Sequence, residues 1–323
     1  MTMNNFKNME RIVFCLLSLT FSSAGAVTPN GGRNAFDFLN ISPVSRAVGV
    51  GEAYSALGDD VGSVYYNPAG LASVLTNEMN ITYLSLYQQM NYEFIAFATP
   101  LQPSFPSFGG VVALSAGLLQ TGNMSRTNDF GVTTGTFSSG DQVFTLAYAK
   151  DFSPTVHIGA SLKFLNQQID TVQTSLFAVD AGLVVIPPSQ GLRIGLEVKN
   201  LGAQDSGFNL PFTLSGGLSY RQYELFGDQD DGAITGEITF PIQPIEDPVG
   251  AALGVEYDYK WVGNRATIRV GYKYQNNGLG GEGLTLGAGY GLDLAGAVLF
   301  LDYAYAPADV FGDTNRVSLT TKF

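Results

Sequence analysis

The sequence predicts an all-β protein: a transmembrane antiparallel up-and-down β-barrel of about 14 strands, with a short helical N-terminal plug in the lumen. Three observations predict it. Charged residues are 14% of the 323, against roughly 25% in an ordinary soluble domain, while Gly numbers 39 and aromatics reach 12%. From Asn77 onward, segments of roughly ten residues alternate apolar and polar side chains between turn residues, and no apolar run approaches the ~18 residues of a membrane helix. Residues 27–76, by contrast, have a Gly- and Ala-rich texture that does not alternate.

The first element is an export signal. Lys7 and Arg11 precede an apolar run from Ile12 to Phe21, and Ala24-Gly25-Ala26 supplies a small-x-small cleavage site. The signal is placed at 1–26, with the mature chain starting at Val27 and an apolar core too short to span a bilayer. Cys15 is the only cysteine, and Phe14 stands where a lipid-modified cysteine wants a small residue. The mature chain is therefore expected to carry no thiol, disulfide or cysteine metal site.

Residues 27–76 form the second element. A fourteen-stranded barrel has an interior too wide for its own side chains to fill, and this is the one segment of sufficient length and unsuitable texture for the wall. Gly49, Gly51, Ala53, Ala56 and Gly58 would let its backbone approach the wall. Arg46 to Leu57 reads as one short helix ended by Gly58. Asp60 caps a second turn, Val61 to Tyr66. Asn67 caps a third, with Pro68 at the first helical position of Ala69-Gly70-Leu71.

The wall, 77–323, divides into segments 77–87, 90–100, 108–120, 140–151, 155–169, 173–187 and 191–201, then 211–223, 232–241, 248–260, 263–275, 283–293, 296–306 and 313–323. Leu192, Ile194, Leu196 and Val198 share one face, and Arg193, Gly195, Glu197 and Lys199 the other. Thr267, Arg269, Gly271 and Lys273 oppose Ala266, Ile268, Val270, Tyr272 and Tyr274 in the same way, and Glu256 and Asp258 fall on a polar face. The last segment sets Val317, Leu319, Thr321 and Phe323 against Arg316, Ser318, Thr320 and Lys322. A soluble sandwich also alternates. Two features favour the membrane: mid-strand charges of both signs suit a wet lumen, and Tyr257, Tyr259, Trp261, Tyr303 and Tyr305 suit an interfacial belt. If the last strand ends on the periplasmic side, the connections near 152–154, 188–190, 261–262 and 294–295 share that side and are short. Those at 121–139, 202–210, 276–282 and 307–312 are longer and face outward, as expected of such barrels, whereas those near 101–107 and 224–231 are long for the short side and those at 88–89 and 170–172 short for the long side.

The chemistry that these residues exclude is broad. A formal charge of −12 offers no basic face for nucleic acid. The acid clusters Asp228, Asp230, Asp231 and Glu246, Asp247 read as solvated loop charges in preference to cation or lipopolysaccharide contacts. His157 is the only histidine and reads as a lumen-facing polar residue; no Gly-x-Ser-x-Gly accompanies it. Asp59 and Asp60 read as capping and surface solvation rather than acid–base chemistry or a cation site. No catalytic residue, metal site or cofactor is predicted.

The run Phe38-Leu39, Ser45-Arg46-Ala47-Val48-Gly49, Gly51-Glu52-Ala53-Tyr54, Ala56-Leu57-Gly58-Asp59-Asp60 and Asn67-Pro68-Ala69-Gly70-Leu71 resembles the N-terminal region of the PorV/PorQ family. That family is similar to FadL-type outer-membrane transporters of long-chain fatty acids, which have a fourteen-stranded barrel and an N-terminal hatch with an Asn-Pro-Ala motif. Asn67, Pro68 and Ala69 match it here. The C-terminal Phe323 resembles the terminal aromatic read by the barrel-assembly machinery. The resemblance implies an outer-membrane location, contact with outer-membrane lipid and assembly machinery, and a plugged lumen that binds or passes hydrophobic small molecules. An apolar pocket between hatch and wall would touch Phe36, Phe38, Leu39, Tyr54, Tyr65 and Tyr66; the other reading is that these rings anchor the plug. A second implied function is that of a PorV-like accessory of type IX secretion, a docking platform for secreted cargo. A third is a passive structural barrel.

Overall fold

A computed structural model describes residues 34–86, 90–101, 109–189, 191–205, 207–243, 248–274, 282–294, 296–307 and 313–323. The signal at 1–26, the start of the hatch at 27–33 and parts of several connections lie outside the described residues.

The wall strands fall within a few residues of the predicted segments. They are β1 (Glu78–Ser85), β2 (Asn91–Pro100), β3 (Val111–Gln120), β6 (Ser139–Ser153), β7 (Val156–Ile169), β8 (Val172–Val185) and β9 (Leu192–Gly202). There follow β10 (Phe212–Tyr223), β11 (Asp230–Gln243), β12 (Gly250–Trp261), β13 (Asn264–Tyr274), β14 (Gly283–Leu294), β15 (Ala297–Ala306) and β16 (Thr314–Lys322). Each pairs antiparallel with its neighbours, and β1 pairs β16 from Glu78↔Lys322 to Ser85↔Asn315, which closes the ring. Closure leaves no sheet edge, the one β solution whose backbone is satisfied in lipid. One correction concerns 121–139, expected as a plain loop. Within it β4 (Met124–Thr127) and β5 (Thr133–Phe137) form a separate exposed hairpin. Asn128 shapes its tip, its Oδ1 accepting from the amides of Phe130 and Val132.

The register obeys the alternation. Val255, Val270, Leu286, Leu301 and Leu319 lie exposed on the outer surface, whereas Glu256, Asp258, Arg269 and Arg316 point inward and are buried. Such a surface is stable only against hydrocarbon. Aromatic rings mark its two rims. At the end where both barrel termini lie, Tyr259, Trp261 and Tyr290 pack at centroid distances of 5.9 and 6.2 Å. At the other rim, Tyr83 and Tyr303 donate to Asn91 and Asn315 at 2.8 and 2.5 Å. The amphipathic ring meets apolar chains with its body and polar groups with its hydroxyl. The rim with the two-residue turns 154–155 and 262–263 is assigned to the periplasm by the short-turn rule, which the equally short turn 170–171 on the other rim and the longer connection 101–110 on this one do not follow. Phe323 ends on it, exposed and exchanging backbone hydrogen bonds with Asn77.

Candidate functional site

Residues 34–74 fill the lumen. The predicted caps are present: the Asp60 carboxylate accepts from the Gly62 amide (2.9 Å) and starts a 3₁₀ turn, Val61–Val64. Asn67 Oδ1 accepts from the Ala69 amide (3.1 Å) and starts another, Pro68–Ser73. The predicted helix over Arg46–Leu57 is corrected. Helix α1 covers Ser45–Gly49 alone, because Gly51 and Glu52 take left-handed backbone at φ 71° and 69°. From there the chain keeps only scattered turn bonds of its own and adds hydrogen bonds to the wall. Gly51 N donates to Thr285 Oγ1 (3.1 Å), the Ala53 carbonyl accepts from Thr235 Oγ1 (2.8 Å), and the Tyr54 and Ser55 amides both donate to Glu237 (2.9 and 2.8 Å). These wall groups thereby satisfy polar backbone atoms that the unwound stretch buries.

The wall is recessed to receive this backbone. Gly159 of β7 pairs Gly182 of β8, Gly195 of β9 pairs Gly217 of β10, and Gly254 of β12 pairs Gly271 of β13. All six face inward. A Cβ at any of them would collide with the hatch: with Pro68–Ala69 at Gly159, Asn67 at Gly182, Ser55 at Gly195 and Gly217, and Val50–Gly51 at Gly254 and Gly271. These paired troughs were missed in the sequence, although their signal is present there as glycines on the polar phase of predicted strands. Asn67 also joins hatch to wall, its Nδ2 donating to the carbonyls of Ser55 (2.8 Å), Leu183 (3.2 Å) and Leu196 (3.3 Å). Pro68, Ala69 and Gly70 behind it are buried, with Gly70 against the Gly58 carbonyl and Ser63.

The six candidate pocket residues separate into two groups. Phe36, Phe38 and Leu39 join Leu84, Tyr92, Leu119, Val143, Leu165 and Leu210 in an apolar cluster at the outer mouth. Phe38 meets Tyr92 edge-on at 6.4 Å. Tyr54, Tyr65 and Tyr66 pack deeper, with Val44, Ala47, Val50 and Leu57. Tyr65 bridges the groups by donating its hydroxyl to the Leu39 carbonyl (2.7 Å). Between them lies a cavity of about 50 Å³, lined by Leu39, Glu52, Tyr65, Tyr66, Lys199, Glu237 and Lys273 among others.

On the periplasmic side a cavity of about 290 Å³ is lined largely by charge, including Arg46, Asp59, Asp60, Arg221, Arg265, Arg269, Asp302 and Lys322. The surface-solvation reading of Asp59 and Asp60 is corrected here: both accept from Arg46 Nη1, at 2.6 and 2.8 Å. Burial alone would raise the Asp59 carboxyl, but Arg46, followed by Arg221 and Arg193, holds it well below the usual carboxylate range. The other edge of the Arg46 guanidinium forks onto Glu256 (2.9 and 3.0 Å), which also accepts from Arg221 and Arg269. Arg193 holds the hatch as well, donating to the Gly58 carbonyl (3.0 Å) and Ser73 (3.3 Å). His157 Nε2 lies 3.1 Å from Asp151, and no serine hydroxyl bonded to it appears among the described residues. The described residues hold no cluster of metal-ligating side chains.

No family model matches the chain, and no curated protein matches it. Solved structures do resemble it. The toluene transporter TbuX of Ralstonia pickettii aligns with a TM-score of 0.58 at 16% identity, over 89% of this chain and 99% of that one. The monoaromatic hydrocarbon channel CymD gives 0.54 at 13% identity, over 89% and 98%. A FadL homologue of Pseudomonas aeruginosa gives 0.53 at 11% identity, over 86% and 97%. At these identities the likeness is one of fold, and that fold is the closed fourteen-stranded barrel of the bacterial outer membrane.

Proposed function

We propose that the chain passes small hydrophobic molecules across the outer membrane through its hatch-filled lumen. The observation that carries this reading is the apolar cluster at the outer mouth, where Phe36, Phe38 and Leu39 meet Leu84, Tyr92, Leu119 and Leu165. It is an apolar seat at the outward end of a lumen otherwise rich in charge. A hydrophobic molecule arriving from outside gains roughly 25 cal/mol per Å² of apolar surface covered there. The similar structures include a toluene transporter and a monoaromatic hydrocarbon channel, which supports that class of cargo. The cluster is packed shut, so passage requires the arm at 34–41 to part from the wall. The reading involves no bond-making chemistry. Kinship with PorV/PorQ rests on the hatch run, and the secretion-accessory alternative draws no support from the similar structures.

Uptake into proteoliposomes tests the proposal, with radiolabelled toluene and a long-chain fatty acid as probes. Vesicles containing the protein should take up at least one probe faster than empty vesicles. Phe38→Asp should remove most of the gain by placing a charge in the apolar seat. Equal uptake with and without the protein for both probes would sink the reading.

A further inference from the structure

The hatch joins the two ends of the lumen through an unbroken run of side chains. Tyr65 starts it at the Leu39 carbonyl in the outer cluster. Its ring packs on Tyr66 at 5.0 Å, and Tyr66 packs on Tyr54 at 5.3 Å. Tyr54 then donates its hydroxyl to Asp60 (2.7 Å), and the Arg46 guanidinium lies 5.7 Å from the Tyr54 ring centroid. Arg46 in turn ties together three segments: helix α1, which carries it, the corner at Asp59 and Asp60, and Glu256 on β12. Every nitrogen of its guanidinium is engaged. Without it, Asp59 and Asp60 would lose their shared cation at the edge of the periplasmic cavity, and the corner would lose its tie to Glu256, which keeps Arg221 and Arg269.

We infer that Tyr65, Tyr66 and Tyr54 couple the outer apolar cluster to an ionic latch formed by Arg46 with Asp59, Asp60 and Glu256. When Leu39 and Tyr65 are displaced from the outer side, the tyrosine run shifts and Tyr54 withdraws from Asp60. Arg46 then loses its hold on the corner, and the hatch opens toward the periplasm. The inference rests on the hatch being the closure, but not on the identity of the cargo. Contact alone does not establish coupling; a two-state element that both ends bias does. The test therefore measures opening directly and without cargo.

Single-channel recording in planar bilayers supplies that measurement. Wild type should record as closed. Arg46→Ala should raise the open probability by about tenfold or more, within the ordinary range of coupling between sites. Low-millimolar guanidinium chloride should close that variant again and matched ammonium chloride should not, because a planar fork refills the carboxylate cluster. Arg46→Lys should fall between wild type and Arg46→Ala. Tyr66→Leu should also raise opening, and combined with Arg46→Ala the effect should be clearly less than the product of the two singles. Should Arg46→Ala not migrate on gels as a folded barrel, Asp59→Asn with Asp60→Asn replaces it, with the same opening expected. A closed Arg46→Ala beside a conducting 27–76 deletion overturns the latch and leaves the hatch reading standing. Failure of guanidinium to close the variant, or independent effects of Tyr66→Leu and Arg46→Ala, overturns the coupling. A deletion that does not conduct overturns the hatch reading and the latch together.

Discussion

Asn67 shows how much one side chain does in the hatch. Its carbonyl caps Ala69 while its amide nitrogen reaches carbonyls of the hatch and of two wall strands. The cap was legible in the sequence, because Asn followed by Pro is a local signal. The wall contacts were not, since Leu183 and Leu196 are distant in the chain. Asn67→Ala should therefore cost more than a cap alone, about 1–3 kcal/mol, by leaving buried partners unpaired. Asn67→Asp separates the two roles: it keeps the acceptor and loses the donors. Both variants should leak in bilayer recordings while folding as barrels. Tight closure of Asn67→Asp would show that the cap is the whole contribution. At Asp59 and Asp60 the sequence reading failed for a related reason, as an acidic pair beside a glycine resembles a solvated corner until Arg46 and Glu256 are brought to it.

Elements divide in the same way. Each wall strand was readable because a period-two pattern is imposed residue by residue by lipid outside and water or charge inside. Depth in the membrane was less readable. Ile194, on the lipid side of β9, lies near the periplasmic start of that strand. Val270 lies mid-strand on β13, between Val255 and Leu286, and is exposed to lipid. Val270→Arg should therefore destabilise the barrel by about 2–4 kcal/mol and Ile194→Arg by about 1 kcal/mol or less, following the depth dependence of charge in such walls. Urea unfolding in liposomes compares them, and equal penalties would contradict the assigned depth. Helix α1 shows the opposite case. Local propensity favoured a helix to Leu57, and the Gly254–Gly271 trough together with Thr285 and Glu237 outbid it after Gly49. Arg193, a plain lumen residue on pattern alone, proves to be a hatch contact.

For the whole molecule the decisive relation is between barrel and hatch. The wall's strands close the ring by pairing with one another, apart from the outer part of β8, which has no partner on β9 among the described residues, so the barrel does not depend on the hatch for its ladder. The hatch holds its short turns with its own hydrogen bonds and is fixed in place by contacts to the wall. Deleting 27–76 should leave a protein that fractionates with the outer membrane and shifts in mobility on heating, but that conducts openly where wild type does not. Recovery of the full-length chain as a soluble periplasmic monomer would contradict the barrel. A non-conducting deletion would point instead to blockage by an outer connection such as the one bearing the β4–β5 hairpin.

By itself the sequence determined the barrel, its strand order, its lipid and lumen faces, and the presence of a segment foreign to the wall. All of these follow from periodicity and composition, which act over a few residues at a time. The tertiary structure alone decided how that segment is held. Glycines from six strands form troughs, Arg46 meets carboxylates from its own segment and from β12, and the aromatic residues split between an outer cluster and an inner run. Many of these contacts join residues distant in the chain, up to 210 positions for Arg46 and Glu256. Closing the ring brings them together, and no local pattern records which of the inward-facing residues will meet.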